Sequence, residues 1–285
     1  MSTIMKGADV AKAMKETLIL ETEELKKQGI HPCLAMIRVG ARGDDLAYER
    51  GAKKRMAMIG IQCRTIELPD DIGQEAFEQE FCKANADRSI HGILLFRPLP
   101  AHLSEENVRR IIHPYKDVDC MSAVNIAKVF SGDETGFAPC TAEAVVRMLE
   151  HYQIDPKGKK VTVVGRSMVA GKPISMLLLD RHGTVTLCHT KTADLKEECK
   201  KAQILIAAAG RAKMITEEMA GEGAVVVDVG INVDPDGHLC GDVDFEQVKE
   251  KASYISPVPG GVGSVTTSVL ASHVIRGARY LHTEN

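Results

Sequence analysis

The chain has 285 residues, 44% of them hydrophobic and 26% charged, with a formal net charge of -3. That length gives two domains with cores of their own. The near balance of charge excludes the basic footprint of a nucleic-acid-binding protein, and no apolar run approaches the length of a membrane span.

Residues 8–28 carry Val10, Met14, Leu18 and Leu25 at helical spacing, which predicts an amphipathic helix. Cys33 to Val39 reads as a strand, Leu46 to Gly60 as a helix, Gln62 to Leu68 as a strand and Glu75 to Asn85 as a helix. A strand over Gly92–Phe96 stops at Arg97-Pro-Leu-Pro100, because proline cannot continue a ladder. Ser104 is the expected N-cap of a helix over Glu105–Ile112. Strand and helix alternate throughout, which predicts an α/β domain on a parallel sheet. Residues 116–142 read as a long irregular stretch, of the kind that often carries function. A helix over Ala142–Tyr152 then leads to Lys159–Pro173, KKVTVVGRSMVAGKP.

That stretch organises the rest. Val161–Val164 is a buried strand, broken at Gly165, with Gly171 six residues on and an apolar helix face from Ile174 to Leu179. Strand, glycine turn and helix open a dinucleotide-binding unit, in which glycines admit a pyrophosphate to the backbone of a helix N-terminus. The pattern is G-x-S-x-x-x-G rather than G-x-G-x-x-G, so a turn that binds nothing is the competing reading. Further strands over Thr184–Cys188, Ala202–Ala209 and Ala224–Val229 end at His189-Thr190, Gly210 and Gly230-Ile231. Glycines at Gly165, Gly210 and Gly230 suit a flat cofactor across the carboxyl ends of a doubly wound sheet. The second of these strands ends without the carboxylate that favours NAD, and Arg166 stands in the glycine loop, so NADP is expected, with NAD the alternative. A last helix is expected from about Thr267 to Tyr280.

Eight cysteines include no C-x-x-C pair and the ten histidines show no paired spacing, so no metal site is expected. Charges scattered through MSTIMKGADVAKAMKETL leave no apolar signal region, which points to the cytosol, where the thiols stay reduced as small hydrophobes. With no Trp and 4% aromatic residues, the core is expected to be aliphatic.

Seven motifs fall in one order: KDVD at Lys116–Asp119, FAPCT at Phe137–Thr141, VVGRS at Val163–Ser167, VTLCHTKT at Val185–Thr192, DVGIN at Asp228–Asn232, GDVDF at Gly241–Phe245 and PVPGGVG at Pro257–Gly263. In these the chain resembles the methylenetetrahydrofolate dehydrogenase/cyclohydrolase family along essentially its whole length. The resemblance implies a cytosolic homodimer of one-carbon metabolism, acting on tetrahydrofolate derivatives. It implies a folate-binding catalytic domain over 1–142, completed by 267–285, a Rossmann NAD(P)-binding domain over 143–266, and a cleft between them. The cofactor would meet Gly165, Arg166, Ser167, Gly171, His189, Thr190, Gly210, Gly230 and Ile231. The family's active-site tyrosine matches Tyr48, and the aspartate that holds the pterin ring matches Asp119, followed here by Cys120 where the family usually has glycine. Pro259, Gly260 and Gly261 would lie along the folate.

Two positions depart from the family. Its lysine four residues past the tyrosine is Ala52 here, with Lys53, or else Lys54, as the substitute if the helix is distorted near Gly51. Its supporting glutamine is Phe96, in Gly92-Ile-Leu-Leu-Phe-Arg-Pro-Leu-Pro100. Hydride loss from the methylene bridge needs no general base, whereas hydrolysis needs water activation and a proton for the leaving nitrogen. The expectation is therefore a dehydrogenase whose cyclohydrolase step is weak or absent. A fully bifunctional enzyme is the alternative, and a non-catalytic folate- or nucleotide-binding protein a third reading.

Overall fold

The computed structural model describes residues 2–283. In chain order the elements are β1 (Thr3–Ile4), α1 (Gly7–Lys27), β2 (Cys33–Val39), α2 (Gly43–Ile59), β3 (Gln62–Leu68), α3 (Gln74–Ala86), β4 (Gly92–Leu95), α4 (Glu106–Ile111), α5 (Ala123–Ser131) and α6 (Cys140–His151). They continue with β5 (Lys160–Val164), α7 (Gly171–Asp180), β6 (Thr184–Cys188), α8 (Leu195–Lys200), β7 (Ile204–Ala207), β8 (Val225–Asp228), β9 (Asn232–Val233), β10 (Leu239–Cys240), α9 (Phe245–Val248), β11 (Tyr254–Ile255) and α10 (Thr266–Thr283). The chain divides into two compact units, one of residues 13–140 with 267–285, the other of residues 1–12 with 141–266. The first twelve residues, expected with the N-terminal domain, belong to the second unit because β1 pairs in parallel with β11.

The three-stranded unit has the parallel order β3-β2-β4. Every residue of β2 is buried, as a central parallel strand covered on both faces requires. Beyond β4, the 116–118 segment is laid alongside by Ile93 N–H donating to Lys116 O at 2.7 Å. The core is not purely aliphatic. Phe77, Phe81 and Phe137 are among its largest fully buried side chains, and Phe77 and Phe81 meet at 6.5 Å. Residues 116–142 are not irregular throughout: they contain α5, whose first turn is fixed by Asn125 N–H donating to Ser122 Oγ at 3.2 Å. Ser104 is not the cap of α4. That place is taken by Glu105, and Ser104 Oγ accepts from Glu106 N–H just inside the helix.

The six-stranded unit is parallel throughout in the order β1-β11-β8-β7-β5-β6. From β5 the chain steps to β6 on one side, then returns across β5 to β7. The order reverses there, and such a reversal leaves a crevice at the carboxyl ends of the two diverging strands. β7 and β8 are fully buried, packing Leu205, Ala207 and Val226 against Cys199, Ile215 and Val248. The eight cysteines are free. Six are buried, Cys63 is half-buried and Cys82 is exposed, so the last departs from the expected burial. Among the described residues, no helix is long and apolar enough to cross a membrane.

Candidate active site

At the reversal point lies a cavity of about 350 Å³. Its walls come from the ends of three strands: Gly165, Arg166 and Ser167 after β5, His189, Thr190 and Thr192 after β6, Ala208, Ala209 and Arg211 after β7. Gly165 stands at φ 125°, and its N–H donates to Cys188 O at 2.9 Å. A methyl on Gly165 would overlap the carbonyl oxygen of Ala208, and one on Gly171 would overlap that of Gly165. Both glycines are thus required by close approach: the first lets β5 leave the sheet beside β7, the second lets α7 start against that turn. Ser167 Oγ accepts from Ala170 N–H at 3.1 Å and shapes the loop before the helix. On the β6 side, His189 N–H donates to Thr192 Oγ1 at 2.9 Å, and His189 Nδ1 accepts from Lys191 N–H at 3.0 Å.

Of the residues expected to meet a cofactor, Gly165, Arg166, Ser167, His189 and Thr190 line this cavity. Gly171 lies behind them at the helix start. Gly210, Gly230 and Ile231 follow the neighbouring strands β7 and β8 outside the lining, and Ile231 is exposed. The sequence reading missed Arg211 and Thr192, although a basic residue directly after Gly210 was a usable signal. It also missed Asp242, which is fully buried and organises the loop. Asp242 Oδ2 accepts from Ala209 N–H at 2.5 Å and Gly210 N–H at 2.9 Å; Oδ1 accepts from Arg211 N–H at 2.8 Å and Asn232 Nδ2 at 2.9 Å. Asp242 in turn donates its N–H to Asp228, a second buried carboxylate that also accepts from Gly230 and Val243 N–H. Burial pushes the Asp228 carboxyl up to about 6 against the pull of those three backbone donors.

In the three-stranded unit, Phe96 and Arg97 follow β4 directly. Tyr48, on α2, meets the Phe96 ring edge-on at 6.1 Å and is about one-third exposed. Asp119 ends the segment laid beside β4. Its Oδ1 accepts from Cys140 N–H at 3.0 Å, and its Oδ2 faces Arg97 Nη2 at 3.4 Å. Burial pushes the Asp119 carboxyl above its usual value, partly offset by the Cys140 N–H and by Arg97. Cys120 holds φ 58°, the left-handed conformation that glycine adopts most readily, so the glycine expected at this place has a backbone reason.

One turn past Tyr48, Ala52 is fully buried. Lys53 extends elsewhere: its Nζ is 2.5 Å from Glu49 Oε1, while Glu49 Oε2 takes Arg38 Nε at 3.1 Å. Burial opposes the Glu49 charge, but its bonds to Lys53 and Arg38 outweigh that and hold the carboxyl below its usual value. α2 runs unbroken from Gly43 to Ile59, so Gly51 introduces no distortion that would turn Lys53.

Comparison with known proteins accounts for both units. The tetrahydrofolate dehydrogenase/cyclohydrolase catalytic domain matches residues 5–119, and the NAD(P)-binding domain of the same family matches residues 139–282. The chain belongs to the tetrahydrofolate dehydrogenase/cyclohydrolase family. It is 56% identical to the bifunctional protein FolD of Clostridioides difficile (strain 630), over 97% of this chain and 96% of that one. The bifunctional FolD methylenetetrahydrofolate dehydrogenase/cyclohydrolase of Campylobacter jejuni superposes with a TM-score of 0.95 at 37% identity, over 98% and 99% of the two chains. FolD of Trypanosoma brucei, solved with NADP and an inhibitor, gives 0.92 at 34% identity over 98% of each. The cavity at the reversal point is thus in the NAD(P)-binding domain of a tetrahydrofolate dehydrogenase/cyclohydrolase, and Tyr48, Phe96, Arg97 and Asp119 are in its catalytic domain.

The loop expected along the folate lies in the six-stranded unit. Gly260 and Gly261 are fastened to the start of α1, where Gly7 N–H donates to Gly260 O at 2.8 Å, while Pro259 is exposed. Asp234, Asp236 and His238 converge within 4.8 Å in the β9–β10 turn, a spacing the sequence reading did not consider. Asp234 Oδ1 is already taken by the N–H groups of Asp236 and His238, which is ordinary turn chemistry.

Proposed function

We propose that the enzyme oxidises 5,10-methylenetetrahydrofolate to the 5,10-methenyl cation with NADP and hydrolyses that cation to 10-formyltetrahydrofolate. The observation that carries the reading is near full-length similarity to bifunctional enzymes, joined to a strand-end cavity walled by Arg166 and Arg211. The residues fit a dinucleotide. Gly165 and Gly171 let the strand end, its turn and the helix start close together beside the cavity, and arginines on two of its walls, Arg166 and Arg211, suit a 2′-phosphate better than a ribose hydroxyl. When bound, NADP supplies the hydride acceptor. The chain's own residues bind and orient: Asp119 accepts from the pterin ring, Tyr48 stands at the one-carbon bridge, and Pro259, Gly260 and Gly261 lie along the folate. Work in the cytosol as a homodimer is part of this proposal, on the strength of the family.

A second reading keeps the oxidation but weakens the hydrolysis. It is favoured by Ala52, buried where a lysine would be needed, by Phe96 in place of glutamine, and by Lys53, already paired with Glu49. Two absorbance assays on the purified protein decide between them. One follows methylenetetrahydrofolate with NADP or NAD; the other follows decay of methenyltetrahydrofolate against its spontaneous rate. Accelerated decay supports the bifunctional reading and sends Lys53→Ala and Lys54→Ala into the same assay. Oxidation without accelerated decay supports the second. No NADPH formation at all would return the chain to the class of non-catalytic binding proteins.

A further inference from the structure

We propose that Arg97 is a positioning residue for folate: its guanidinium orients the Asp119 carboxylate and holds it in the anionic form that the N–H donors of the pterin ring require. The inference rests on the folate reading given above. Phe96-Arg97 replaces the glutamine-leucine pair expected after this strand, so the departure from the family brings a cation as well as removing an amide.

The geometry gives that cation a definite task. Arg97 Nη2 faces Asp119 Oδ2 at 3.4 Å, and Arg97 Nη1 lies 3.9 Å from Glu105 Oε2, so the guanidinium is held between two carboxylates. Asp119 Oδ1 takes the Cys140 N–H at 3.0 Å. Arg97, the Cys140 N–H and the Cys140 thiol all serve the Asp119 carboxylate. Since an ionised carboxylate has about four acceptor positions, acceptor capacity remains for a donor of the pterin ring. The Arg97 and Asp119 side chains are 26% and 27% exposed, open to a ligand yet partly stripped of water.

Besides Arg97, Cys140 favours the Asp119 charge and Asp117 opposes it. Asp117, on the same segment, is buried, with its oxygens spent on Met121 N–H, Ser122 N–H and Asn125 Nδ2. Burial raises the Cys120 thiol, and the Cys140 thiol hydrogen-bonds to Asp119 beside its own N–H. Burial raises the Asp119 carboxyl, Asp117 adds to the rise, and Arg97 is the cation that lowers it. With leucine at position 97 the carboxyl would take up a proton at higher pH, lose an acceptor position and turn freely about its last bond.

The test is steady-state kinetics of methylenetetrahydrofolate oxidation at saturating NADP as a function of pH, through the acid limb of the profile. The proteins are wild type, Arg97→Leu, Arg97→Lys and Asp119→Asn. Arg97→Leu is expected to raise the folate KM about tenfold, the size of one charge-assisted hydrogen bond. Its effect on kcat and on the NADP KM should be far smaller. The acid limb of kcat/KM should move to higher pH in Arg97→Leu and stay near the wild-type position in Arg97→Lys. A purely structural role would lower the melting temperature without moving that limb. An unmoved limb and an unchanged folate KM in Arg97→Leu would overturn the inference, as would equal movement in both variants. If Arg97→Leu does not fold, Arg97→Met replaces it, with the same limb as readout. Asp119→Asn separates the two levels. A high folate KM at every pH supports the folate reading whatever Arg97 does, whereas a wild-type KM would sink that reading itself.

Discussion

Replacing Gly165 by alanine asks whether the cofactor loop is shaped by the spacing of β5 and β7. The added methyl would lie 2.6 Å from the carbonyl carbon of Ala208 and 3.3 Å from Ala209 N, with the Ala208 oxygen closer still. Neither wall withdraws freely, because Gly165 N–H is bonded to Cys188 O and Ala208 N–H to Val164 O at 2.8 Å. Two costs add. Overpacking of a tight site costs about 1–3 kcal/mol. A non-glycine residue at φ 125° costs about 1–3 kcal/mol more. The expected destabilisation is about 2–6 kcal/mol, which for a chain of this size lowers the melting temperature by of order 10 °C. Gly210→Ala is the internal control. Gly210 also has a positive φ, 66°, but nothing lies within 4 Å of an added methyl, so only backbone strain of about 1–2 kcal/mol remains. Thermal melts with and without NADP, and titration calorimetry of NADP, read both effects; the chain lacks Trp, so heat is a better reporter than intrinsic fluorescence. Gly165→Ala should melt well below Gly210→Ala and bind NADP more weakly. Equal melting temperatures with wild-type NADP affinity would refute the idea that strand spacing sets this loop.

Arg166→Ala and Arg211→Ala should each raise the KM for NADP by roughly ten- to a hundredfold, since a hydrogen bond to a charged group contributes about 1.5–3 kcal/mol, and should barely alter the KM for NAD. Equal losses with both dinucleotides would remove the 2′-phosphate from the argument. Asp228, raised from 3.8 to about 6, gives stability a pH dependence. Between those values the folded protein binds more protons than the unfolded chain, so this residue stabilises the fold below pH 4 and that contribution is lost as pH rises through about 6. Relative to Asp228→Asn, wild type should thus gain about 2 kcal/mol from pH 7 down to pH 4, measured by urea unfolding at each pH. A pH-independent gap would show that the carboxyl is not raised. The double variant Ala52→Lys/Phe96→Gln restores the family's lysine one turn past Tyr48 and its glutamine after β4, and should accelerate methenyltetrahydrofolate hydrolysis roughly a hundredfold if wild type is slow. Ala52→Lys alone should do less, because its amine would enter a buried site without an amide partner.

Much of the framework was legible because it is written in local patterns. β2, β3 and β6 are short apolar or alternating runs bounded by glycine or proline, and their ends coincide with the reading. α5 was not legible. It has nine residues, and it leaves Val124 and Phe130 exposed, so its apolar period is blurred. The start of α7 was readable from Gly165 and Gly171, because close approach leaves glycine no substitute. Asp242 was not readable from the loop it holds, since its partners Ala209 to Arg211 stand more than thirty residues earlier. Lys53 shows the reverse error. Helical spacing turned it away from the needed face unless the helix were distorted; the helix is regular, and Glu49 one turn before offers its ammonium a buried carboxylate, a competitor that helix geometry alone does not reveal.

The pairing of β1 with β11 bears on how the polypeptide is made. Thr3 leaves the ribosome about 250 residues ahead of Tyr254, its partner in the sheet. The three-stranded unit also waits, because α10 supplies Val269, Leu270, Val274 and Ile275, all of them fully buried, from the far end of the message. Vectorial synthesis can therefore finish neither unit early, and long-range closures of this kind fold slowly. A nascent chain halted before Tyr254 carries an open sheet edge and a bare apolar seat for α10, which makes it a substrate for chaperones and proteases. Synonymous changes that alter translation speed over the codons for residues 254–283 should therefore change the yield of folded enzyme more than the same changes over the codons for α5 and α6.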